Sequence, residues 1–553
     1  MKASGDTFVS PSLHVPPRWE PGVRPGGGGR LEASLSQPAG GPVPSPKTLT
    51  ELLHGLKDCQ VQGEAHLPVA GLAYHSRQVV AGGVFVALKG RLTDGHRFVT
   101  ESIQRGARVV VSEEDLPPAP GVTRVKVPQA RLALAHLSAA FYGHPSRELV
   151  LVGITGTNGK TTTTFLLEAI LSQAGHRVGV VGTVNYRLGR QSWPAPVTTP
   201  ESLDLQQLLR QMRDEGATCV FLEVSSHALD LRRVDAATFA AGVFTNLSQD
   251  HLDYHRDLED YFAAKSRLFL ELLADGRASG AGGLAVLNLD DPRGHELLKK
   301  VRVPTLTYGC HPASQVRPLK HRYRADGLSA RLATPAGELK VRSRLVGPFN
   351  LANILAAAAT ALGLGVKPEA VVQGIAALKG VPGRLERFGP PGGPSIFVDY
   401  AHTPAALAQA LAALKTLGFT RLITVFGCGG DRDRTKRPLM GQAAAAGSDL
   451  LLVTSDNPRT EDPLNIIRDI EAGLDALGCP RLKGARALRH ARGYAVVPDR
   501  REAIELAVKL ARPGDAVLVA GKGHENYQIW GHQKIHFDDR EEVVNALKSL
   551  GID

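Results

Sequence analysis

The sequence predicts an α/β protein of three domains, two of which contain parallel sheets. Two observations support this prediction. Short apolar runs alternate with helical patterns along most of the 553 residues, an order typical of doubly wound parallel sheets. In addition, the glycine-rich residues 153–162 follow the apolar residues 149–152 and precede the helical pattern of residues 163–174. A strand, a glycine-rich turn and a helix N-terminus in this order form a binding site for phosphate groups.

The composition indicates a large globular protein of a reducing compartment. Hydrophobic residues make up 43% of the chain and charged residues 22%, which excludes disorder of the chain as a whole. No apolar run approaches the roughly 18 residues of a membrane span, and residues 1–21 lack the apolar region of a signal peptide. We therefore expect a cytoplasmic protein. The cysteines are scattered without CxxC spacing, which argues against disulfides and structural zinc: Cys59, Cys219, Cys310, Cys428 and Cys479.

The net charge of +11 allows two interpretations. Nucleic acid is one partner that it suits, and small anionic substrates are the other. Lysine and arginine are spread along the chain, without a dense basic run or interleaved aromatic residues. We therefore expect phosphate-bearing small molecules and no nucleic acid. A merely solvated basic surface remains an alternative.

The N-terminal part of the chain contains a tail and a first domain. Residues 1–47 are rich in Gly, Pro and Ser, and such a segment cannot bury enough apolar surface to offset its ordering entropy. We expect a disordered tail. From Thr48 an amphipathic helix pattern leads into apolar strands at residues 83–88 and 107–111. These features predict a small α/β domain over residues 48–147.

The phosphate-binding segment opens the second domain, which we place at residues 148–383. Its first strand is followed by further apolar runs, and residues 350–362 form an alanine-rich helical pattern. Residues 278–283 are typical of a surface loop. The further strands are predicted at residues 219–222, 241–244 and 284–287.

Glycine and proline at residues 380–383 and 389–394 indicate a hinge and linker. Beyond them we place a third α/β domain at residues 384–553, because apolar runs again alternate with helical patterns. Its strands are predicted at residues 396–398, 422–426, 450–453 and 516–519.

The phosphate-binding segment carries the predicted ATP or GTP site. Lys160 is placed to neutralise the β- and γ-phosphates, and the Thr161 hydroxyl to reach Mg²⁺. A strict P-loop has glycine five positions before Gly159, where this chain has Ile154. A turn that binds nothing is the alternative, and the strand–loop–helix order argues against it. The predicted contacts are Gly156, Thr157, Asn158, Gly159, Lys160, Thr161 and Thr162.

Polar residues follow two further strands of the second domain. Glu223 directly follows one strand, in the position of an acidic metal partner, and His251 comes after the next. Both are candidate Mg²⁺ ligands, since Mg²⁺ takes few protein ligands beside phosphates and waters. For His251 alone, a cap or a solvated loop is the simpler interpretation. Residues 225–227, Ser-Ser-His, also suggest a serine hydrolase, but no Gly-x-Ser-x-Gly elbow surrounds them.

These motifs together resemble those of the Mur ligases of peptidoglycan synthesis, over nearly the whole chain after the tail. They occur in the order and spacing of that family, at residues 156–161, 223–228, 246–253, 347–353, 382–386 and 398–404. Three further motifs are similar to members that act on UDP-N-acetylmuramoyl-L-alanyl-D-glutamate, at residues 427–433, 456–459 and 521–525.

The resemblance implies a fold and a reaction. The fold would comprise a small α/β domain for the UDP-linked substrate, a central P-loop-type ATPase domain with a parallel sheet, and a C-terminal Rossmann-like domain. ATP would phosphorylate the D-glutamate side-chain carboxylate, and an amine would attack the acyl phosphate to form an amide. Such chemistry depends mainly on positioning and on neutralising phosphate charge. We expect a monomer that uses Mg²⁺, ATP and small-molecule substrates.

The resemblance also implies residue roles in catalysis and nucleotide binding. Lys160, His251 and Lys265 match catalytic positions, and Lys265 matches a lysine carbamylated by CO₂. A cationic lysine would be repelled by Mg²⁺, whereas a carbamate offers the oxygen ligands that Mg²⁺ favours. The metal positions are Thr161, Glu223, His251 and Lys265, and further ATP contacts match Asn353, Arg384 and Asp399.

The UDP-linked substrate would contact matching positions in two domains. Some relatives have glutamine two residues before the matching arginine, where this chain has Leu231. One substrate hydrogen bond would then be absent or made elsewhere. The matching residues are Ser76, Thr198, Thr199, Ser225, Arg233 and Lys265.

Residues 456–459 are similar to the signature of members that add meso-2,6-diaminopimelate. The second carboxylate of this amino acid needs a bidentate cation, which arginine provides better than lysine, and Glu525 suits the distal ammonium group. The matching residues are Arg432, Asp456, Asn457, Pro458, Arg459, Gly521 and Glu525.

Two alternatives remain. A lysine-adding Mur ligase or a folylpolyglutamate synthase-like ligase would share the ATP site, but lysine has no second carboxylate for Arg459. A nucleic-acid-stimulated P-loop ATPase is consistent with the charge of +11. It gives no reason for the motifs at residues 456–459 and 521–525.

Overall fold

The computed structural model describes residues 47–90, 93–250, 254–273, 283–390 and 392–551. It confirms the predicted α/β class, with one large sheet in each third of the chain. The predicted tail, up to residue 46, and most of the predicted loop, residues 278–282, lie outside the described residues. Lys47, which we expected in the tail, forms a strand whose backbone pairs with Val69.

The first part of the chain forms β1 (Lys47–Thr48), α1 (Leu49–Leu53), β2 (Gln60–Gln62), β3 (Pro68–Val69), β4 (Leu72–Ala73), β5 (Val84–Val86), α2 (Val99–Gln104), β6 (Val109–Ser112), β7 (Thr123–Lys126) and α3 (Ala130–Phe141). Short 3₁₀ helices occur at Ser76–Gln78, Gly95–Phe98 and Pro145–Arg147. The sheet has the order β2-β7-β6-β5-β4, and only its β2 edge is antiparallel. α1 and α3 cover one face and α2 the other.

The central part begins with β8 (Val150–Thr155), α4 (Lys160–Gln173), β9 (Val178–Val181), β10 (Tyr186–Leu188), β11 (Gln191–Trp193), α5 (Ser202–Asp214), β12 (Cys219–Glu223), α6 (Ser226–Asp230), β13 (Ala241–Phe244) and α7 (Leu258–Arg267). A π-helical turn, Leu268–Leu272, follows. It continues with β14 (Leu284–Asn288), α8 (Pro292–Lys300), β15 (Thr305–Tyr308), β16 (Arg317–Arg324), β17 (Gly327–Thr334), β18 (Gly337–Ser343), α9 (Phe349–Gly363) and α10 (Pro368–Ala377).

The central sheet has the order β11-β10-β9-β12-β8-β13-β14-β15, parallel from β9 onward. Its central strands, such as residues 150–154 and 241–244, are almost wholly apolar because helices cover both faces. Leu151 packs on the side of α5 and Val152 on the side of α4 and α9. The alanine-rich α9 is buried on nearly all sides, as expected for a helix that is apolar all round.

The last part forms β19 (Glu386–Phe388), β20 (Ser395–Asp399), α11 (Pro404–Lys415), β21 (Leu422–Phe426), α12 (Lys436–Gly447), β22 (Leu450–Val453), α13 (Pro463–Asp475), α14 (Ala485–His490), β23 (Gly493–Val496), α15 (Arg500–Leu510), β24 (Ala516–Ala520), β25 (Tyr527–Trp530), β26 (Gln533–His536) and α16 (Asp539–Ser549). The sheet order is β19-β20-β24-β21-β22-β23, and only β19 is antiparallel.

Each strand predicted from the sequence is present, and α4 begins at Lys160, three residues before the predicted helix. The domain boundaries at 147/148 and 383/384 remain proposals. They are compatible with the strand pairing, which crosses neither position among the described residues. Within those same residues, no helix is long and apolar enough to cross a membrane.

Candidate active site

The phosphate loop connects β8 to the N-terminus of α4. Gly156 and Gly159 have φ angles of 144° and 86°, in the region that favours glycine. A Cβ at Gly156 would lie 1.9 Å from Thr245 Oγ1, and one at Gly159 would lie 2.4 Å from Asn353 Oδ1. Ile154, the departure from a strict P-loop, is a buried residue of β8 and precedes the loop. Only glycine fits at these two positions, and the resulting backbone is suited to bind phosphate.

Neighbouring segments hold this loop in place. Thr157 N donates to Asn246 O at 2.9 Å, and Asn158 N donates to Asn246 Oδ1 at 2.9 Å. Lys160 Nζ donates to Gly156 O and Thr157 O at 2.8 and 2.9 Å. Burial lowers the pKa of Lys160, and the nearby Glu223 opposes that change. Thr162 is buried in the first turn of α4.

The Glu223 carboxylate accepts hydrogen bonds from the start of α4 and from the turn after β9. Its side chain is buried at the end of β12, 1% exposed. Thr161 Oγ1 donates to Glu223 Oε2 at 3.0 Å, and Thr183 donates to the same carboxylate through both its N–H and its hydroxyl at 3.0 Å. Hydroxyl and carboxylate oxygens side by side suit Mg²⁺. Thr183 was missed because no motif marks the turn after β9.

Lys265 lies beneath the phosphate loop and is only 1% exposed. Its Nζ donates to Gly156 O at 3.0 Å, the same oxygen that accepts from Lys160, and lies 4.5 Å from the centre of the Tyr261 ring. Burial, and secondly the charge of Lys160, hold the pKa of Lys265 well below its usual range. Without the family resemblance, the residues around Lys265 would predict a surface helix residue, and the structure instead buries it. His251 lies outside the described residues, so its role stays a prediction.

The residues matched to the UDP-linked substrate are linked by hydrogen bonds beside Glu223. Thr199 Oγ1 donates to Glu223 O at 2.7 Å, and Ser225 N donates to Thr199 Oγ1 at 3.1 Å. Arg233 Nη1 donates to Thr199 O at 2.9 Å. Thr198 Oγ1 lies 3.1 Å from Thr183 Oγ1. Four of the predicted substrate residues therefore lie together.

Residues 225–227 do not form a serine nucleophile. Ser225 Oγ accepts from Ala228 N at 3.2 Å and caps α6. The buried Ser226 Oγ has no hydrogen-bond partner in the described part of the chain. The hydrolase interpretation is therefore not supported by the geometry.

Ser76 lies in the first domain, buried in a 3₁₀ helix. Glu201 connects this domain to the predicted substrate residues. Its Oε2 accepts from Arg131 Nη1 at 2.9 Å and lies 3.4 Å from Arg233 Nε. A second link runs from Tyr74 Oη to Asp204 Oδ2 at 2.7 Å. Sequence reasoning missed both links, because they join residues far apart in the chain.

Arg384 and Asp399 lie where the last domain meets the phosphate loop. Asp399 accepts from Leu385 N and Ala401 N at 2.7 and 2.9 Å, and burial raises its pKa. The guanidinium of Arg384 lies 5.0 Å from the centre of the Tyr400 ring. Its buried Nε has no hydrogen-bond partner among the described residues. This unpaired donor is a candidate contact for a nucleotide.

Polar side chains cluster at the carboxyl ends of β22 and β24, and we call this cluster the pocket. Lys522, which sequence reasoning missed, is fully buried. Its Nζ lies 3.5 Å from Asp456 Oδ1 and 3.6 Å from Glu525 Oε2, and donates to Asn457 Oδ1 at 3.3 Å. Burial raises the pKa of Glu525, and the charge of Lys522 opposes that change. Gly521 N donates to Asp399 O at 3.1 Å, which joins the pocket to the ATP side.

Two arginines border this pocket. Arg459 has a φ of 54° and is held by bonds from its N to Ile529 O at 3.0 Å and from its Nη1 to Gly430 O at 2.6 Å. A Cβ at Gly429 would lie 3.0 Å from Arg459 Nη1 and 3.9 Å from Arg432 Cγ. The missing side chain at Gly429 thus gives room to both arginines. Pro458 packs its carbonyl against Gly430.

Three family models match the chain. The Mur ligase middle domain matches residues 154–361, the Mur ligase glutamate ligase domain residues 383–523, and the Mur ligase family catalytic domain residues 68–142.

Similar proteins span nearly the whole chain. A UDP-N-acetylmuramoyl-L-alanyl-D-glutamate--2,6-diaminopimelate ligase of Geobacter metallireducens is 51% identical over 91% of this chain and 98% of its own length. The corresponding ligase of Geobacter sulfurreducens is 47% identical over 91% of this chain and 99% of its own length. A solved structure of a ligase with the same name is 33% identical, with a TM-score of 0.67 over 92% of this chain and 100% of that chain. The chain belongs to the Mur ligase family.

Proposed function

We propose that the protein is an ATP-dependent ligase that adds meso-2,6-diaminopimelate to UDP-N-acetylmuramoyl-L-alanyl-D-glutamate in peptidoglycan precursor synthesis. One observation carries the choice of amino acid. The pocket at the ends of β22 and β24 combines two carboxylates, Asp456 and Glu525, with two bordering arginines. An amino acid with two ammonium and two carboxylate groups fits this combination. The names of the relatives from the two Geobacter species support the same reaction.

The first step transfers the γ-phosphoryl group of ATP to an oxygen of the D-glutamate side-chain carboxylate. The loop N–H groups and Lys160 bind the phosphates, and Arg384 approaches from the last domain. Thr161 and Glu223, with His251 as a further candidate, would hold Mg²⁺, which neutralises phosphate charge when bound. Asn353 supports the loop at Gly159, and Asp399 positions the backbone around Arg384. Phosphate charge is thereby neutralised from two domains.

The second step forms the amide. The free amine of diaminopimelate attacks the acyl carbon, a tetrahedral intermediate forms, and the nitrogen loses a proton. The bond from the acyl carbon to the phosphate oxygen then breaks, and phosphate leaves with the carboxylate oxygen it received. In the pocket, Asp456 and Glu525 receive the distal ammonium group while Arg459 and Arg432 receive the carboxylate. Asn457, Pro458 and Gly521 shape the pocket wall. Thr198, Thr199, Ser225 and Arg233, with Ser76 in the first domain, hold the UDP-linked substrate.

Lys265 is proposed to act as a carbamate. Its neutral amine attacks the carbon of CO₂, the N–C bond forms, one C=O electron pair moves to oxygen, and one N–H proton leaves to solvent. The product is an anion beside the Lys160 cation. Because Lys265 and Lys160 share the Gly156 carbonyl, a protonated Lys265 would be repelled there, whereas a carbamate is attracted. The carbamate oxygens would face the metal and the UDP-linked substrate.

Phosphate release tests the proposed function. We expect turnover only when ATP, UDP-N-acetylmuramoyl-L-alanyl-D-glutamate and meso-diaminopimelate are all present. Equal turnover with L-lysine would favour a lysine-adding ligase. Stimulation by DNA or RNA, without need for an amino acid, would favour a nucleic-acid-dependent ATPase. We also propose that the enzyme is a cytoplasmic monomer, which a mass measurement in solution tests.

Replacing Arg459 with alanine should raise KM for diaminopimelate. A charge-assisted bidentate bond contributes about 1.5–3 kcal/mol, so we expect a rise of roughly 10- to 150-fold. KM for ATP should stay unchanged, because Arg459 lies away from the phosphate loop. Arg459→Lys is the matched control and should lose less, since it keeps the charge without the fork. An unchanged KM for diaminopimelate in the alanine variant would contradict the assigned role.

A further inference from the structure

The three-stranded sheet β16–β18 has one apolar and one cationic face. Its apolar side chains, among them Leu328, Leu332 and Val341, are buried in the core of the central domain. The residues between them point the other way, because side chains alternate along a strand. We call the six exposed cations on that side the cationic face: Lys320, Arg322, Arg324, Arg331, Lys340 and Arg342.

The strand register places like charges directly opposite one another. Lys320 pairs with Arg331, and Arg331 pairs with Lys340, so one row of three cations crosses all three strands. Opposed like charges destabilise a sheet. Glu338 forms an ion pair with Arg331, through contacts of 2.7 and 2.9 Å, and attracts the neighbouring Lys340 without forming one. For the other five cations, no ion pair occurs within the described residues. The sheet retains a repulsion that a purely structural role does not explain.

This face holds much of the net positive charge of the protein. Residues 317–343 contain seven Lys or Arg and only two acidic residues, Asp326 and Glu338, an excess of five within a net charge of +11. We expected the charge to be dispersed, and the fold instead concentrates it. The ATP site does not account for it, because none of the residues assigned to ATP lies within residues 317–343.

We propose that the cationic face docks on an anionic lipid surface. Strand and residue spacings make the face about 10 by 14 Å, and its six charged groups share one side of the sheet. Clustered Lys and Arg are attracted to anionic leaflets in this way. Leu319, in a β-bulge beside Lys320, is 50% exposed and places an apolar side chain at the same edge. The attachment would be peripheral, beside a pool of soluble substrate.

Nucleic acid fits this face less well. None of the six residues is aromatic, whereas single-stranded nucleic acids bind on stacking platforms. A flat sheet face also does not enter a major groove, which admits a helix or a two-stranded ribbon. Charge complementarity with a flat anionic surface therefore favours lipid.

Vesicle sedimentation of the full chain tests the proposal. We expect binding to phosphatidylcholine vesicles that contain phosphatidylglycerol, weakening as salt rises, and little binding to pure phosphatidylcholine. The variant combines Lys320→Gln, Arg322→Gln, Lys340→Gln and Arg342→Gln. It should lose binding by about tenfold or more, because each cation near the surface contributes to attraction.

The matched control removes the same charge from four exposed lysines elsewhere, by Lys57→Gln, Lys299→Gln, Lys509→Gln and Lys548→Gln. It should bind as the unaltered chain does. Ligase turnover and thermal unfolding should be unchanged in both variants, which shows that the sheet is folded. An equal loss of vesicle binding in both variants would show that only net charge matters, and it would overturn the proposal. Tighter binding to DNA oligonucleotides than to vesicles would also overturn the proposal, if that DNA binding is lost in the cationic-face variant. If that variant unfolds, the double variant Lys340→Gln and Arg342→Gln is measured instead. Undiminished vesicle binding by the double variant would overturn the proposal.

Discussion

Replacing Lys265 with alanine should reduce turnover by roughly a thousandfold or more, since metal-centred charge stabilisation is worth several kcal/mol. The side chain lies directly beneath the phosphate loop, against the carbonyl oxygen that Lys160 also contacts. Alanine removes the amine that carries the proposed carbamate, and with it the negative charge beside the phosphates. Steady-state phosphate release measures the loss.

Rescue separates the carbamate from a merely structural role. A short carboxylate such as formate can occupy the space left in Lys265→Ala and restore part of the activity. Lys265→Arg is the matched control, because it keeps a long cation that cannot be carbamylated and leaves no space for formate. We also expect a ¹³C NMR signal of a carbamate carbon in enzyme treated with ¹³CO₂, absent in the alanine variant. Full activity of Lys265→Ala without added carboxylate would refute the role.

Replacing Lys522 with methionine should raise KM for diaminopimelate by roughly a hundredfold or more, because breaking a buried charge pair costs about 3–5 kcal/mol. Lys522 is the cation between Asp456 and Glu525. Without it, two buried carboxylates face each other, and one takes up a proton. The pocket then loses an acceptor for the distal ammonium group. KM for ATP should change little.

A pH profile distinguishes the loss of an ionised acceptor from a general loss of order in the pocket. Glu525 must be ionised to receive an ammonium group, and burial already raises its pKa. Affinity for diaminopimelate is therefore complete above that pKa and is lost as pH falls through it. Because Lys522 opposes the rise, Lys522→Met should move this loss to higher pH. Lys522→Arg keeps the charge and should retain an acid limb close to that of the unaltered enzyme. Identical acid limbs in the methionine variant and the unaltered enzyme would refute the role.

Local sequence patterns predicted the parallel strands well, for a physical reason. Strands buried on both faces read as continuous apolar runs, such as residues 219–222, and the loop after β8 combines glycine with Lys160 in a spacing that few structures share. The mainly exposed hairpin strands β16 and β18 were not predicted. Their alternating charged residues have no apolar run to mark them.

The site was predicted where a motif is contiguous and missed where contacts are long-range. Gly156 to Thr162 and residues 456–459 lie within single loops. Glu201, by contrast, joins Arg131 to Arg233 across two domains, and Lys522 becomes central only because β22 and β24, which flank β21, end at the same edge of the sheet. No periodicity encodes such pairings. The burial of Lys265 has the same origin, because it depends on packing of α7 under a loop that lies 109 residues earlier.

Transfer of ¹⁸O tests the central claim, an acyl phosphate between ATP and the new amide. The substrate carries ¹⁸O in the D-glutamate side-chain carboxylate, and released phosphate is analysed by mass spectrometry. If the carboxylate attacks the γ-phosphorus and the amine of diaminopimelate then displaces phosphate, each released phosphate keeps one carboxylate oxygen. We predict one ¹⁸O per phosphate, formed only when diaminopimelate is present. Phosphate without ¹⁸O, released at the full rate of turnover, would contradict the account.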